Sequence, residues 1–340
     1  MLYKLPLFTY HAYNIADSAF AQREAGRRAV LTPPMPDDGQ CLYSSAQAVT
    51  WRRPGGGVGG LPWDSFNPDP YDSTSPRQTF AHWDQPFVAW LESRGYAADF
   101  CTDLDLHAGR IDLRRYPLLL SAGHDEYWTD AMRERTERFV DAGGNVAFFG
   151  ANTCYFRVAV DEVEHTISRG GQWDSHRNDL SGTLSPENGM TGVSYRNGGG
   201  KWRGRRPPTG FRVQNSRHWV YAGTGLNDGD TFGAQQRLIG YECDGAHFDR
   251  RAKDGRVRAD GTDGTPDSFE ILGVGDITTW DVSDGSGEIN GNGAATLGVH
   301  RPGGTVFTAS TVDWPRVVAH GGESATATIT CNVLAKLSAG

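Results

Sequence analysis

The stretch "LLLSAGHDEYWTDAMRERTERFVDAGGNVAFFG", residues 118–150, carries the clearest pattern of structural elements in this 340-residue chain. Two almost wholly apolar runs, 116–123 and 145–150, lie at its start and its end. Such runs are typical of strands covered on both faces. Between them, Thr129 can cap a helix that stops at a pair of glycines. A strand, a helix and a strand at this spacing form a βαβ unit, so the sequence predicts an α/β fold with a doubly wound, mostly parallel sheet.

Further elements of this core are predicted on both sides of the βαβ unit. They are a strand within "YKLPLFTYHAYN" (3–14), a helix "QPFVAWLESRG" (85–95) capped by Asp84, a strand "AADFCT" (97–102), a buried strand within "GGTVFTASTVDWP" (303–315) and a final helix at 322–340. From about residue 155 the helical pattern gives way to glycine and short alternating runs. We therefore expect a single domain over 1–340, with 1–155 and 295–340 as the α/β core and 156–294 as a β-rich and loop-rich insertion.

The overall composition excludes several classes of protein. A formal net charge of −8 argues against a nucleic-acid partner or an anionic membrane surface. The chain has no apolar run of about 18 residues and no secretory signal pattern at its N-terminus, so no membrane segment is expected. The five cysteines are odd in number and widely scattered, which fits neither a disulfide framework nor a CxxC metal site. A reduced, cytoplasmic location is the expectation.

Three ionisable residues, His124, Asp125 and Glu126, follow directly after the buried strand. Open α/β sheets bind ligands at the carboxyl ends of their strands, so a catalytic or metal-binding role is one interpretation. The alternative is that the two acids only favour the positive end of the next helix. The chain contains neither an HExxH motif nor a GxSxG motif, and Cys154 is expected to be a packing residue rather than a nucleophile. The pattern alone leaves both interpretations open.

A resemblance to a known family adds to this interpretation. The segments that carry it, in order, are "FTYHAYN", "CLYSS", "GYAADFCTDLDLH", "LLLSAGHDEYWTDAMRERTERFVDAGGNVAFFGAN", "LIGYECDG" and "GGTVFTASTVDWP". Together they resemble the catalytic C-terminal region of the large (β) subunit of N,N-dimethylformamidase, and "GHDEYW" followed by "GAN" is the most specific part. The resemblance implies a glutamine-amidotransferase-like α/β fold. The family subunit has a further sandwich domain upstream, which we expect to be absent from this chain.

The resemblance also implies a site. Family members hold one Fe(III) through two tyrosine phenolates and a glutamate, and these positions match Tyr13, Tyr43 and Glu126. The family's catalytic histidine matches His124. A second catalytic glutamate matches Glu242, with Glu270 in "SFEIL" as a rival assignment. Hard, anionic oxygen ligands suit a ferric ion, so this ligand set is chemically consistent.

The predicted function is therefore an iron-dependent amidohydrolase acting on a small-molecule amide or related C–N bond. The Fe(III) would act as a Lewis acid, and His124 and Glu242 would transfer protons. Two alternatives are a non-catalytic α/β module that binds a ligand or partner, and redox chemistry with dioxygen at the same iron. The physiological substrate, a homo-oligomeric state and the need for a small partner subunit are left open.

Overall fold

The computed structural model describes residues 1–13, 47–51, 80–172, 186–202, 204–249, 256–320 and 324–339. The α-helices within these ranges are α1 (Leu7–Tyr13), α2 (Phe80–Trp83), α3 (Gln85–Ser93), α4 (Asp103–Ala108), α5 (Asp130–Asp141), α6 (Asn188–Thr191), α7 (Trp314–Ala319) and α8 (Ser324–Ser338). The strands are β1 (Leu2–Leu5), β2 (Ala48–Thr50), β3 (Asp99–Thr102), β4 (Leu118–His124), β5 (Tyr127–Trp128), β6 (Asn145–Ala151), β7 (Phe156–Asp161), β8 (Thr166–Gln172), β9 (Ser194–Lys201), β10 (Phe211–Val213), β11 (Thr231–Phe232), β12 (Glu242–Gly245), β13 (Glu270–Asp276), β14 (Gly287–Ile289), β15 (Ala294–His300) and β16 (Val306–Thr308).

A nine-stranded mixed sheet forms the centre of the molecule, in the order β11-β10-β13-β15-β16-β6-β4-β1-β3. The strands from β16 to β3 pair in parallel, and those from β11 to β16 pair antiparallel. The sheet is therefore mixed rather than mostly parallel. Its parallel half contains the βαβ unit β4–α5–β6 predicted from the sequence, and Thr129 caps α5 by accepting a hydrogen bond from Met132 N.

Helices cover both faces of the parallel half. Along β4, Leu118 and Leu120 pack into a core shared with α3, α7 and α8, whereas Leu119 points to the other core, shared with α1, α4 and α5. This alternation follows from the two-residue period of a strand, and it explains why the central strands are apolar at every position. Of the helices within the described ranges, none combines the length and the apolar character needed to cross a membrane.

The N-terminal segment differs from the prediction. The predicted strand is confirmed at its start, but β1 ends at Leu5 and α1 begins at Leu7, directly after Pro6. Proline is tolerated next to a helix start because its missing N–H is not needed there. Asp84 also differs, since its carboxylate accepts a hydrogen bond from Tyr3 Oη (2.9 Å) and does not cap α3. The strand predicted within 303–315 is only three residues long, and α7 follows it.

The predicted insertion, residues 156–294, contributes strands to three sheets. β10, β11 and β13 extend the central sheet. β12, β9 and β14 form a separate three-stranded sheet, and β7 and β8 join β2 and β5 in a four-stranded one. The strand β12 also bridges to the segment after β16 through Cys243 and Thr311. This bridge brings β12 to the carboxyl end of the parallel strands.

Candidate active site

The candidate site lies at the carboxyl edge of the parallel strands. His124 is the last residue of β4 and is in register with Ala151, the last residue of β6. Gly123, just before it, has a φ of +68°, and a Cβ there would lie 2.6 Å from the Trp83 Cβ. Only glycine fits this backbone conformation in this space, so the turn that presents His124 depends on Gly123.

Tyr13 and Glu126 meet in the interior, although they come from different elements. Tyr13 is the last residue of α1, and its phenol donates a hydrogen bond to Glu126 Oε2 at 2.5 Å. Thr9, one turn earlier in α1, accepts hydrogen bonds from the backbone N–H groups of Glu126 (2.9 Å) and Tyr127 (3.3 Å). The helix therefore docks against the chain that follows β4 and sets Tyr13 against Glu126.

Glu242 is the fourth member of the group, and it comes from the three-stranded sheet. It is the first residue of β12, and its Oε2 lies 2.9 Å from His124 Nε2. Its other oxygen, Oε1, accepts a hydrogen bond from Trp202 Nε1 at 3.0 Å. His124 Nε2 also lies 3.4 Å from Glu126 Oε2. Since this nitrogen faces two carboxylate groups, we assign its proton to Nε2.

Asn152 is a site residue that the sequence analysis did not single out. Its Nδ2 lies 3.0 Å from Glu126 Oε1, 3.2 Å from Glu242 Oε2 and 3.3 Å from His124 Nε2. One amide thus donates to both carboxylates. Asn152 has a φ of 52°, a conformation that asparagine tolerates better than most residues. Its place directly after β6, beside the strand that ends at His124, was a signal that could have identified it.

Asp244, in β12, binds the backbone of the turn that follows β6 and carries Asn152. Asp244 Oδ1 accepts a hydrogen bond from Asn152 N at 2.8 Å, and its Oδ2 accepts one from Thr153 N at 3.4 Å. Burial raises the pKa of Asp244 to about 8, although these N–H groups lower it. The strand β12 thus supplies Glu242 to the site and also fixes the turn that carries Asn152.

Burial dominates the electrostatics of the site. It raises the pKa of Glu126 to about 7, an effect that His124 opposes and the charge of Glu242 increases. Burial and the Glu126 carboxylate raise the pKa of the Tyr13 phenol well above its ordinary value. Two carboxyl groups and a phenol therefore share a small buried volume, and a bound cation would relieve the repulsion among their charged forms.

Other sequence candidates lie elsewhere. Tyr43 is outside the described residues. Glu270 starts β13, is exposed and accepts a hydrogen bond from Asn215 Nδ2 at 2.7 Å, so it is not part of this group. Cys154 is fully buried, and burial raises its thiol pKa well above the ordinary value, which disfavours a nucleophilic thiolate. Asp125 accepts a hydrogen bond from Lys4 Nζ at 2.7 Å.

A metal ion of the predicted kind is compatible with the described part of the site. Among the described residues, no group of three or more His, Cys, Asp or Glu is arranged to hold a metal ion. The predicted ligand set has a different composition, with one carboxylate and two phenols. Two of its three oxygen donors, from Tyr13 and Glu126, lie 2.5 Å apart in the protein interior. Both are hard oxygen donors, which suits Fe(III).

The chain belongs to the family described as "N,N-dimethylformamidase beta subunit-like, C-terminal", whose model matches residues 1–324. It is 31% identical over 129 residues to the N,N-dimethylformamidase beta subunit of Paracoccus aminophilus, a match that covers 36% of this chain and 15% of that protein. The N,N-dimethylformamidase beta subunit of an Alcaligenes species matches with the same identity and coverage. The match thus spans about one seventh of the length of each relative.

Two solved structures are similar over much of the chain. A β-galactosidase from Bacillus circulans has a TM-score of 0.38 and 14% identity, covering 74% of this chain and 26% of that one. A ThuA-like protein from Parabacteroides merdae has a TM-score of 0.31 and 16% identity, covering 66% of this chain and 71% of that one. Likenesses this distant support no argument about fold or function.

Proposed function

We propose that this chain is an iron-dependent amidohydrolase that cleaves an amide or related C–N bond of a small molecule. The observation that carries the proposal is the meeting of Tyr13, His124, Glu126 and Glu242 in one buried group. Membership of the N,N-dimethylformamidase beta subunit-like family supports a hydrolase acting on C–N bonds. Both relatives are named as beta subunits, so a partner subunit is part of the proposal.

Tyr13, Tyr43 and Glu126 are the proposed ligands of a single Fe(III), which would supply Lewis-acid polarisation of the substrate carbonyl. With Tyr13 protonated, Glu126 accepts hydrogen bonds from Tyr13 and Asn152. With Tyr13 as a phenolate ligand, the hydrogen bond from Asn152 would remain to orient Glu126. Thr9 fixes the Glu126 backbone. The orientation of Glu126 is thereby fixed by groups of the protein itself.

Proton transfer is assigned to His124 and Glu242. During hydrolysis, water loses a proton as its oxygen bonds to the carbonyl carbon, and the amine takes up a proton as the C–N bond breaks. The 2.9 Å contact between His124 Nε2 and Glu242 Oε2 allows one proton to pass between these groups. Trp202 and Asn152 each donate a hydrogen bond to Glu242 and so keep its carboxylate directed at His124.

The test is amine release from a panel of simple amides by iron-loaded protein, with iron content measured on the same samples. Glu126→Ala is expected to lose iron and turnover together. His124→Ala should retain iron and lose turnover by about 10²- to 10⁴-fold. Glu270→Ala is the matched control, because it removes a carboxylate outside the site and should change neither quantity.

Two results would overturn the proposal. One is iron retained at the wild-type level in Glu126→Ala, which would remove that residue from the ligand set. The other is full turnover in protein stripped of metal. If the iron-loaded wild type released no amine from any amide tested, the non-catalytic binding module would be favoured instead.

A further inference from the structure

A buried lysine near the site forms ion pairs with two carboxylates, one hydrogen-bonded to the helix that carries Tyr13 and one in the residue before Glu126. Lys4, in β1, is 1% exposed. Its Nζ lies 2.6 Å from Asp103 Oδ1 and 2.7 Å from Asp125 Oδ1, and it stands 4.6 Å from the centre of the Trp128 ring. Both carboxylates are also buried. The Lys4 ammonium group therefore bridges the carboxylates of Asp103 and Asp125.

Each of these carboxylates is connected to one residue of the Tyr13–Glu126 pair. Asp103 Oδ2 accepts a hydrogen bond from Phe8 N at 2.7 Å, at the first turn of α1, the helix that ends with Tyr13. Asp125 is the residue before Glu126, and its Oδ1 also accepts a hydrogen bond from Trp128 Nε1 at 3.0 Å. The chain of contacts thus runs from the start of α1, through one nitrogen atom, to the backbone beside Glu126.

This link supplements the contact made by Thr9. The Thr9 hydroxyl accepts hydrogen bonds from the backbone N–H groups of Glu126 and Tyr127, and Phe8 and Ala12 of α1 pack in the apolar core. The hydrogen bond from Phe8 N to Asp103 adds an attachment at the start of α1, the helix whose last residue is Tyr13.

We propose that Lys4 is a positioning residue: by bridging Asp103 and Asp125, it sets the distance between the Tyr13 and Glu126 oxygens. Its relevance to catalysis rests on the proposed function, but the positioning itself does not. Lys4 touches neither Tyr13 nor Glu126. Its effect is transmitted through α1 on one side and through the chain after β4 on the other.

The test must separate positioning from the cost of unpaired buried charges. Lys4→Met alone leaves two carboxylates buried without their ammonium and is expected to lower stability strongly. The informative variant is therefore Lys4→Met with Asp103→Asn and Asp125→Asn. It removes all three charges and retains side-chain oxygens that can accept from Phe8 N and Trp128 Nε1. Arg133→Met is the control, because Arg133 is also a buried cation and bonds to Glu137 and Pro186 away from the site.

The primary measurement is the Tyr13 Oη to Glu126 Oε2 distance in crystal structures of the metal-free triple variant, the control and the wild type. The triple variant should fold, melt near the wild-type temperature and lose this hydrogen bond, while the control retains it. Iron affinity of the triple variant should fall by about 10- to 100-fold, as for residues that orient metal ligands. Retention of the 2.5 Å contact in the triple variant would overturn the inference.

The two proposals can fail separately. If the wild type binds no iron and hydrolyses no amide, but the triple variant loses the Tyr13–Glu126 contact, the positioning role stands and the proposed function falls. If the wild type is an active iron enzyme and the triple variant keeps both the contact and the iron affinity, the positioning role falls and the function stands.

Discussion

Two buried carboxylates in this molecule, Asp313 and Glu126, have opposite surroundings. Asp313 accepts hydrogen bonds from Arg206 Nη1 at 3.1 Å, Arg316 Nε at 2.9 Å and the backbone N of Tyr241 at 2.7 Å. Burial alone would raise its pKa, but the two guanidinium groups lower the pKa to about 2. Asp313 is thus a fully paired charge, and its ion pairs with the two arginines stabilise the fold.

Glu126 is surrounded by a phenol, an amide, an imidazole and a second carboxyl group. Burial and Glu242 raise its pKa to about 7 despite the opposing effect of His124. Asp313 is therefore paired with two arginines, whereas the partners of Glu126 among the described residues include no arginine or lysine. The Glu126 group is thus less well paired than Asp313, as expected if it has the proposed role in metal binding and proton transfer.

The largest expected difference is in the cost of neutralising each carboxylate. Asp313→Asn leaves two guanidinium groups without their counter-charge, so the free energy of unfolding should fall by about 3–5 kcal/mol. Glu126→Gln removes a charge that burial already disfavours, so metal-free protein should change by less than about 1 kcal/mol. Urea denaturation of both variants at neutral pH measures this. Equal losses in the two variants would erase the distinction.

The second prediction concerns the two rival glutamates. Glu242→Gln keeps the size of the side chain but removes its capacity to accept a proton beside His124, so turnover should fall by about 10²- to 10⁴-fold. Glu270→Gln, on exposed β13, should leave turnover unchanged. Steady-state amine release by iron-loaded protein compares them. A larger loss in Glu270→Gln would move the second carboxylate role to that residue.

The third prediction uses pH to isolate the Asp313 pairing. Because the pKa of Asp313 is lowered from 3.8 to about 2, the pairing stabilises the protein above about pH 4 and is lost as pH falls through 2. The stability gap between wild type and Asp313→Asn should shrink by about 2 kcal/mol between about pH 5 and pH 2. Denaturant titrations across this range test it. A gap independent of pH would mean that Asp313 is not held ionised by its arginines.

The smallest expected effect is at Trp202. Trp202→Phe removes the indole N–H that donates to Glu242 Oε1 but keeps an aromatic ring. Loss of one side-chain hydrogen bond costs about 0.5–1.5 kcal/mol, so kcat should fall about 2- to 10-fold. Iron content should not change, because Trp202 holds the proton-transfer residue and not a proposed ligand. Loss of iron in this variant would contradict that assignment.

The part of the site that local pattern could predict is the end of β4. Leu118–Leu120 and the flanking glycine indicated a buried parallel strand, and the carboxyl-edge rule then placed His124 and Glu126 where ligands bind. Tyr13 and Glu242 were identified only through the family resemblance. Sequence spacing could not place Glu242 beside β4, because β12 reaches the site through pairing with β9 and a bridge between Cys243 and Thr311.

The helix α1 shows why the strand prediction was wrong beyond Leu5. Its sequence, "LFTYHAY", contains three aromatic residues and the β-branched Thr9, which favour strands by local propensity. The helix is instead supported by tertiary contacts, through Asp103 at Phe8 N and Thr9 at Glu126 N. Both partners lie far along the chain, so the information that makes this segment helical is not local.

We propose that the buried Tyr13–Glu126 group holds a ferric ion. The most direct test is the visible absorption spectrum of freshly purified protein, with metal content determined on the same sample. We expect about one iron per chain and a broad tyrosinate-to-iron charge-transfer band that weakens or disappears in Tyr13→Phe. A protein that remains colourless after reconstitution with iron would contradict the claim.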